Sequence, residues 1–230
     1  MNWEKAVYNS WQGAVSNREA KEELGRRIAE KMQDGQVIGV GSGSTAAIAI
    51  QAIAERVKSE RLRITAVCTS LEVTLACAAL DIPVGTLLQY CPDWAFDGAD
   101  EVDGDRNLIK GRGGAMFLEK LVMQASPRNY ILVDKTKLVT RLGEKFAIPV
   151  EVLPVALRVV ERELAKMGTT EQNLRLAVKK DGPEITEHGN LILDVRFPDI
   201  GKSLERDIAA IPGVIESGLF IGRDIEVMVV

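Results

Sequence analysis

The sequence predicts an α/β chain: a doubly wound, mostly parallel sheet joined to a second, smaller α+β domain. Three observations carry this. Short apolar runs alternate with helix-length amphipathic ones from Asn17 to Val133. The first apolar run, Gln36–Val40, passes straight into Gly41-Ser42-Gly43-Ser44-Thr45 and then a helix, the opening of a parallel βα unit. Past Gly143 the order becomes strand–helix–strand–strand–helix–strand, the order of a split βαβ unit.

Taken in order, Leu24, Ile28 and Met32 recur four apart among charged residues, so a helix runs from Asn17 until Asp34-Gly35 stops it. Strand Gln36–Val40 and helix Ala46–Val57 follow. Arg63–Val67 then reads as a strand, Ser70–Leu80 as a helix, Asp93–Phe96 as a strand, Gly114–Gln124 as a helix and Tyr130–Val133 as a strand. This is a Rossmann-like pattern, in which sites collect at the carboxyl ends of strands. Pro149 and Pro154 punctuate a boundary. Ala147–Val152, Asn173–Val178, Asn190–Val195 and Val214–Phe220 read as strands, with helices over Val155–Met167 and Lys202–Ile211. Together they predict a ferredoxin-like split βαβ domain, and Ile225–Val230 a last strand returning to the first sheet. The expected organisation is an N-terminal extension over 1–16 carrying Trp3, Tyr8 and Trp11, a Rossmann-like domain over 17–146 plus 219–230, and a small α+β domain over 147–218. Within 1–16 one short helix is expected.

Composition narrows the function. The chain has 230 residues, 46% hydrophobic and 27% charged, the profile of a soluble globular protein. Net charge is −4 with no basic block, so nucleic acid has no electrostatic footprint. An anionic ligand would need local cations rather than a positive surface. No apolar run approaches the ~20 residues of a membrane span, and the start lacks the apolar core of a signal peptide. Cys68, Cys77 and Cys91 are odd in number and form no C-x-x-C, which argues against a disulfide framework and for a reducing cytoplasm. One histidine and no clustered thiols argue against zinc.

Four segments can carry chemistry. In Gly41–Thr45 the glycines let backbone N–H groups approach an anion at a helix N-terminus, and Ser42, Ser44 and Thr45 add hydroxyls. The loop lacks the Gly-Lys-Ser/Thr ending of a P-loop and the last glycine of G-x-G-x-x-G, so a single phosphate monoester suits it best. The same residues also make an ordinary capped βα turn. In Asp97-Gly98-Ala99-Asp100-Glu101-Val102-Asp103 four carboxylates crowd the end of a strand, which costs Coulomb energy unless a cation or polyol sits among them. A solvated acidic turn is the bland alternative. In Lys110-Gly111-Arg112-Gly113-Gly114 a lysine that can neutralise an oxyanion precedes three glycines, a pattern shared with flexible surface loops. Glu119, in Met116-Phe117-Leu118-Glu119-Lys120, has the apolar setting that suits a general base, and equally the position of an exposed helix glutamate. Lys137 and Lys21 can each reach a phosphate, as many surface lysines can. His188 stands far in sequence from all of these.

The ordered set of segments resembles the type A ribose-5-phosphate isomerases. It comprises Gly39–Thr45, Asp97–Glu101, Lys110–Ala115, Glu119-Lys120, Val133-Asp134 with Lys137, Pro149–Val152, Ile192–Asp194 and Ile211–Val214. Order and spacing agree from about Lys21 onward. The resemblance implies an aldose–ketose isomerase acting on ribose 5-phosphate and ribulose 5-phosphate, working as a homodimer or homotetramer without metal or cofactor. It implies that Ser42, Gly43, Ser44 and Thr45 bind substrate at the phosphate loop, with Lys21 a phosphate partner. Asp97, Gly98, Ala99 and Asp100 would line the sugar site, Asp97 assisting ring opening. Lys110, Gly111, Arg112 and Gly113 would bind substrate, Lys110 stabilising an enediolate oxygen. Lys137 would be a further substrate contact and Glu119 the proton acceptor. Ser42 stands where the family usually has Thr, and residues 1–16 extend beyond its usual start. A sugar-phosphate sensor on the same scaffold, an amino-sugar phosphate deaminase and a CoA transferase are the competing readings.

Overall fold

The computed structural model describes Trp3 and residues 16–230. Tyr8, Trp11 and nearly all of the extension's expected helix lie outside the described residues. The chain forms two compact units. One takes the chain up to Gly98 with Leu118–Thr136 and Asp224–Val230, the other Ala99–Phe117 and Lys137–Arg223.

The first unit is built on strands β1 (Val37–Val40), β2 (Thr65–Cys68), β3 (Val84–Gly85), β4 (Trp94–Asp97), β7 (Asn129–Val133) and β13 (Glu226–Val229). They pair in parallel in the order β13-β7-β4-β1-β2-β3. Helices α1 (Arg18–Ala29), α2 (Gly43–Glu60), α3 (Leu71–Ala79) and α4 (Met116–Ala125) accompany them. Apolar strands suit this sheet because both faces are covered. Ile38, Val40, Ala66, Phe96 and Leu132 pack with Leu24 and Ile28 of α1, Ile50 and Ile53 of α2 and Val73 of α3. Val67 and Ala95 pack instead with Val122 of α4. Burying each such Leu or Ile contributes roughly 1.5–3 kcal/mol. α4 lies so close to β1 that a Cβ on Gly39 would sit 2.6 Å from both Ala95 Cβ and Val122 Cγ1. Only glycine lets helix and sheet approach this far.

The second unit contains β8 (Ile148–Val152), α5 (Leu157–Lys166), β9 (Glu171–Leu174), β10 (Leu191–Arg196), α6 (Leu204–Ala209) and β11 (Val214–Ser217). The strands form an antiparallel sheet in the order β11-β8-β10-β9, the split βαβ arrangement. Val150, Val152, Val160, Leu164, Leu193, Val195 and Ile208 fill its core. A smaller sheet joins β12 (Leu219–Phe220), β6 (Leu108–Ile109) and β5 (Glu101–Val102). Val214–Phe220, expected as one strand, is therefore two strands in two sheets. Gly218 divides them. Its N–H donates to Pro149 O at 2.7 Å and its carbonyl accepts from Lys110 N at 2.9 Å. A Cβ there would lie 2.1 Å from Lys110 O. No helix among the described residues is long and apolar enough to cross a membrane.

Candidate active site

In the first unit the carboxyl end of β1 turns into α2 through Gly41 and Ser42. Gly41 N–H donates to Phe96 O at 2.8 Å, tying the turn to the end of β4. A Cβ on Gly41 would lie 2.2 Å from Asp97 Cγ, so the glycine makes room for that carboxylate. Asp97 is buried, and its Oδ1 accepts from Ser42 N at 3.2 Å and Gly98 N at 2.7 Å. Gly43 has φ +82°, a left-handed conformation that glycine takes without strain, and Ser44 and Thr45 follow in the first turn of α2. The buried Lys21 of α1 donates from Nζ to Ser44 Oγ at 2.9 Å. Glu119, only 6% exposed on the first turn of α4, accepts from Ser42 Oγ at 2.5 Å through Oε1. Lys21, Ser42, Ser44, Asp97, Gly98 and Glu119 are thus brought together: two buried carboxylates and an ammonium around one helix N-terminus. A cavity of about 10 Å³ is lined by Asp97, Glu119, Val122 and Thr69, the last unsingled by sequence and belonging to the turn after β2.

In the second unit Asp100 and Lys110–Gly113 form another group. Asp100 N–H donates to Ile109 O at 2.8 Å, and its Oδ2 accepts from Arg112 N at 3.1 Å. Ala99 precedes it in the chain. Lys110 is buried, with Nζ 5.8 Å from the centre of the Phe220 ring. Gly111 has φ +95°, and a Cβ there would press on Met116 at 3.0 Å. Gly113 has open space where a Cβ would be. The Arg112 guanidinium and Lys137 Nζ lie 5.9 and 5.4 Å from the Phe146 ring centre. Arg112 is exposed to solvent while its guanidinium also lies over this aromatic face.

Sequence reasoning missed Arg175. Its guanidinium donates to Gly111 O and Arg112 O, both at 3.1 Å, and to both Asp194 oxygens at 2.8 and 2.5 Å. It holds the lysine–glycine loop by its carbonyls. In the acidic turn, backbone N–H groups meet part of the charge. Glu101 accepts from Gly143, Lys145 and Phe146 N–H groups, and Asp103 from Asp105 and Asn107, so backbone donors stabilise these two of the four carboxylates.

A parallel six-stranded sheet with a glycine- and serine-bearing turn and two buried carboxylates at its carboxyl edge, accompanied by a split βαβ unit, defines the class: an α/β protein with a buried polar site at the strand ends. The chain belongs to the ribose 5-phosphate isomerase A (phosphoriboisomerase A) family, whose model matches residues 65–230. It is similar to ribose-5-phosphate isomerase A of Methanocaldococcus jannaschii, 45% identical over 91% of this chain and 93% of that protein. The Synechococcus protein of the same name is 47% identical over 88% of each. The solved structure of the M. jannaschii isomerase superposes with a TM-score of 0.89 at 44% identity, covering 93% of this chain and 95% of that one. A D-ribose-5-phosphate isomerase in complex with phospho-erythronic acid gives a TM-score of 0.88 at 38% identity, covering 94% and 96%. The chain is a sugar phosphate isomerase, as the resemblance implied.

Proposed function

We propose that this chain interconverts D-ribose 5-phosphate and D-ribulose 5-phosphate through an enediolate, with Glu119 as proton acceptor. The observation that carries the reading is the 2.5 Å hydrogen bond from Ser42 Oγ to Glu119 Oε1, which joins a buried carboxylate to the phosphate-type loop. The N-terminus of α2 with Lys21 suits the substrate phosphate. Asp97 assists ring opening. Glu119 then takes the C2 proton of the open aldose, the electron pair moves toward the C1 carbonyl, and the enediolate oxygen is stabilised by Lys110 and loop N–H groups. Return of the proton to C1, with the O2 proton passing to O1, completes the ketose. Gly98, Ala99, Asp100, Gly111, Arg112, Gly113 and Lys137 serve as substrate contacts. Phospho-erythronic acid, held by one solved relative, supports this reading: its planar carboxylate resembles a planar enediolate.

The test is conversion of ribose 5-phosphate by EDTA-treated protein beside Glu119→Gln. Wild type should turn over undiminished by EDTA, and the variant should lose ~10²–10⁴-fold in kcat while still binding substrate. A variant with near-normal kcat removes Glu119 as the base. Wild type that binds ribose 5-phosphate without converting it favours a sugar-phosphate sensor.

A further inference from the structure

The first unit holds a pair of thiols that the isomerase chemistry does not use. Cys68 ends β2, and Cys77 lies on the last turns of α3, nine residues on. Their Sγ atoms are 3.8 Å apart, in van der Waals contact and within hydrogen-bonding reach. We propose that Cys68 and Cys77 form an oxidisable dithiol that a hydroperoxide closes to an intramolecular disulfide.

The two thiols differ in the way such a reaction needs. Cys68 is partly exposed, so a small oxidant can reach it, whereas Cys77 is fully buried. A hydrogen bond from Cys77, and a weaker one from the Thr74 hydroxyl, hold the Cys68 thiol below its ordinary value against the effect of burial. The Cys68 contact and then burial push Cys77 upward, so it keeps its proton. Cys68 is thus the attacking sulfur, since the thiolate is the nucleophile. Its sulfur attacks the terminal peroxide oxygen, the O–O bond breaks, and Cys68 becomes a sulfenic acid while the other oxygen leaves as water from hydrogen peroxide or as an alcohol from an organic hydroperoxide. The Cys77 sulfur then attacks the Cys68 sulfur. The S–O bond breaks, the S–S bond forms, and the departing hydroxide takes the Cys77 proton as water. Two thiols lose two electrons, and one hydroperoxide is reduced.

Contact alone is not enough; the chain must let the sulfurs close from 3.8 Å to a bond of about 2 Å. The connecting turn carries Ser70, which caps α3 by accepting from Val73 N–H at 3.2 Å, and the chain reverses within it. Closing brings together two side chains, one at the end of β2 and one on the last turns of α3, that already touch across this turn. Cys91 is exposed and stands outside this pair.

The test uses the full chain with Cys91→Ser, to remove the third thiol. The protein is treated with hydrogen peroxide, alkylated under denaturing conditions and cleaved after glutamate. Glu72 is the cleavage point between the two cysteines. The peptides bearing Cys68 and Cys77 should remain joined until a reductant separates them. In Cys77→Ser, Cys68 should instead stop as a sulfenic acid that a cyclic 1,3-dione labels. Cys68 running on to sulfinic acid in the presence of Cys77, or both thiols staying open to alkylation after peroxide, would overturn the proposal.

Discussion

Ser42 joins two carboxylates through two different groups. Its backbone N–H donates to Asp97 Oδ1 and its hydroxyl to Glu119 Oε1. The first bond survives any substitution that keeps the backbone; the second depends on the hydroxyl. A hydrogen bond to a charged group is worth about 1.5–3 kcal/mol, which is roughly 10- to 100-fold in rate where it orients the reacting oxygen. Ser42→Ala should therefore lower kcat by that order and change the pH–rate profile. Ser42→Thr, which keeps the hydroxyl, should stay within a few-fold of wild type. Equal kcat and pH profiles for Ser42→Ala and wild type would show that the contact does not serve the reaction. At this scale much of the candidate site was legible in the sequence. Gly41, Gly43 and Gly111 announce themselves because a close approach or a positive φ leaves no alternative residue. Arg175 left no such mark. It acts through the carbonyls of Gly111 and Arg112, 64 and 63 residues away, and a carbonyl acceptor has no side-chain signature.

Among elements, the longer strands and helices were legible to within a few residues, because both sheet faces are buried and the apolar pattern is strong. The two-residue strands β3, β5 and β6 were not, since two residues carry no period. Strand β9 spans Glu171–Leu174, beginning two residues before the expected Asn173, because three of its four residues are polar and give no apolar alternation to read. Short segments of this kind depend on specific polar anchors. Glu101 of β5 is fully buried and accepts three N–H groups at 2.6–2.7 Å from Gly143, Lys145 and Phe146. Glu101→Ala would strip all three of a charged acceptor, at a cost of about 3 kcal/mol or more. Thermal unfolding should show a Tm several degrees lower, and an unchanged Tm would mean that water replaces the carboxylate freely. A second anchor lies at the surface. Asp34, after α1, accepts from the backbone and guanidinium of Arg63 just before β2. The Arg63 side chain foremost, then its N–H, hold the Asp34 carboxyl at about 2 against an ordinary 3.8. A lowered folded-state value means that the stabilisation is full above the ordinary value and fades as pH falls through about 2. The difference in stability between wild type and Asp34→Asn should follow that window and shrink in salt, because the pair is exposed. A difference independent of pH would point to the amide's geometry rather than the charge.

For the whole molecule, the first unit is assembled from three separate stretches of chain, so its sheet is complete only when distant segments return. The last to return is β13. It pairs in parallel with β7 from Glu226↔Tyr130 to Val229↔Val133, almost a hundred residues apart. Loop closure of that length adds little entropy beyond that of a loop half as long, because the cost grows only logarithmically. What holds the strand is the ladder together with Met228, buried in the core that contains Phe96 and Leu132. Beyond the ladder, Lys135 N–H donates to Val230 O at 3.2 Å, fixing the turn that follows β7. Removing residues 224–230 would strip β7 of its outer neighbour and leave its N–H and C=O groups as an open sheet edge, a template for association with other chains. It would also open a void where Met228 sits, and deleting a buried Met side chain costs about 2–5 kcal/mol. The truncated chain should therefore unfold at a lower denaturant midpoint and self-associate, readable by light scattering beside the full chain. If the truncated chain stayed monodisperse with the same midpoint, the last strand would be an ornament on a sheet already complete without it. The register from Tyr130 to Val133 argues against that: each of those residues is paired on both sides or buried, and β7 would become an edge with the residues of an interior strand.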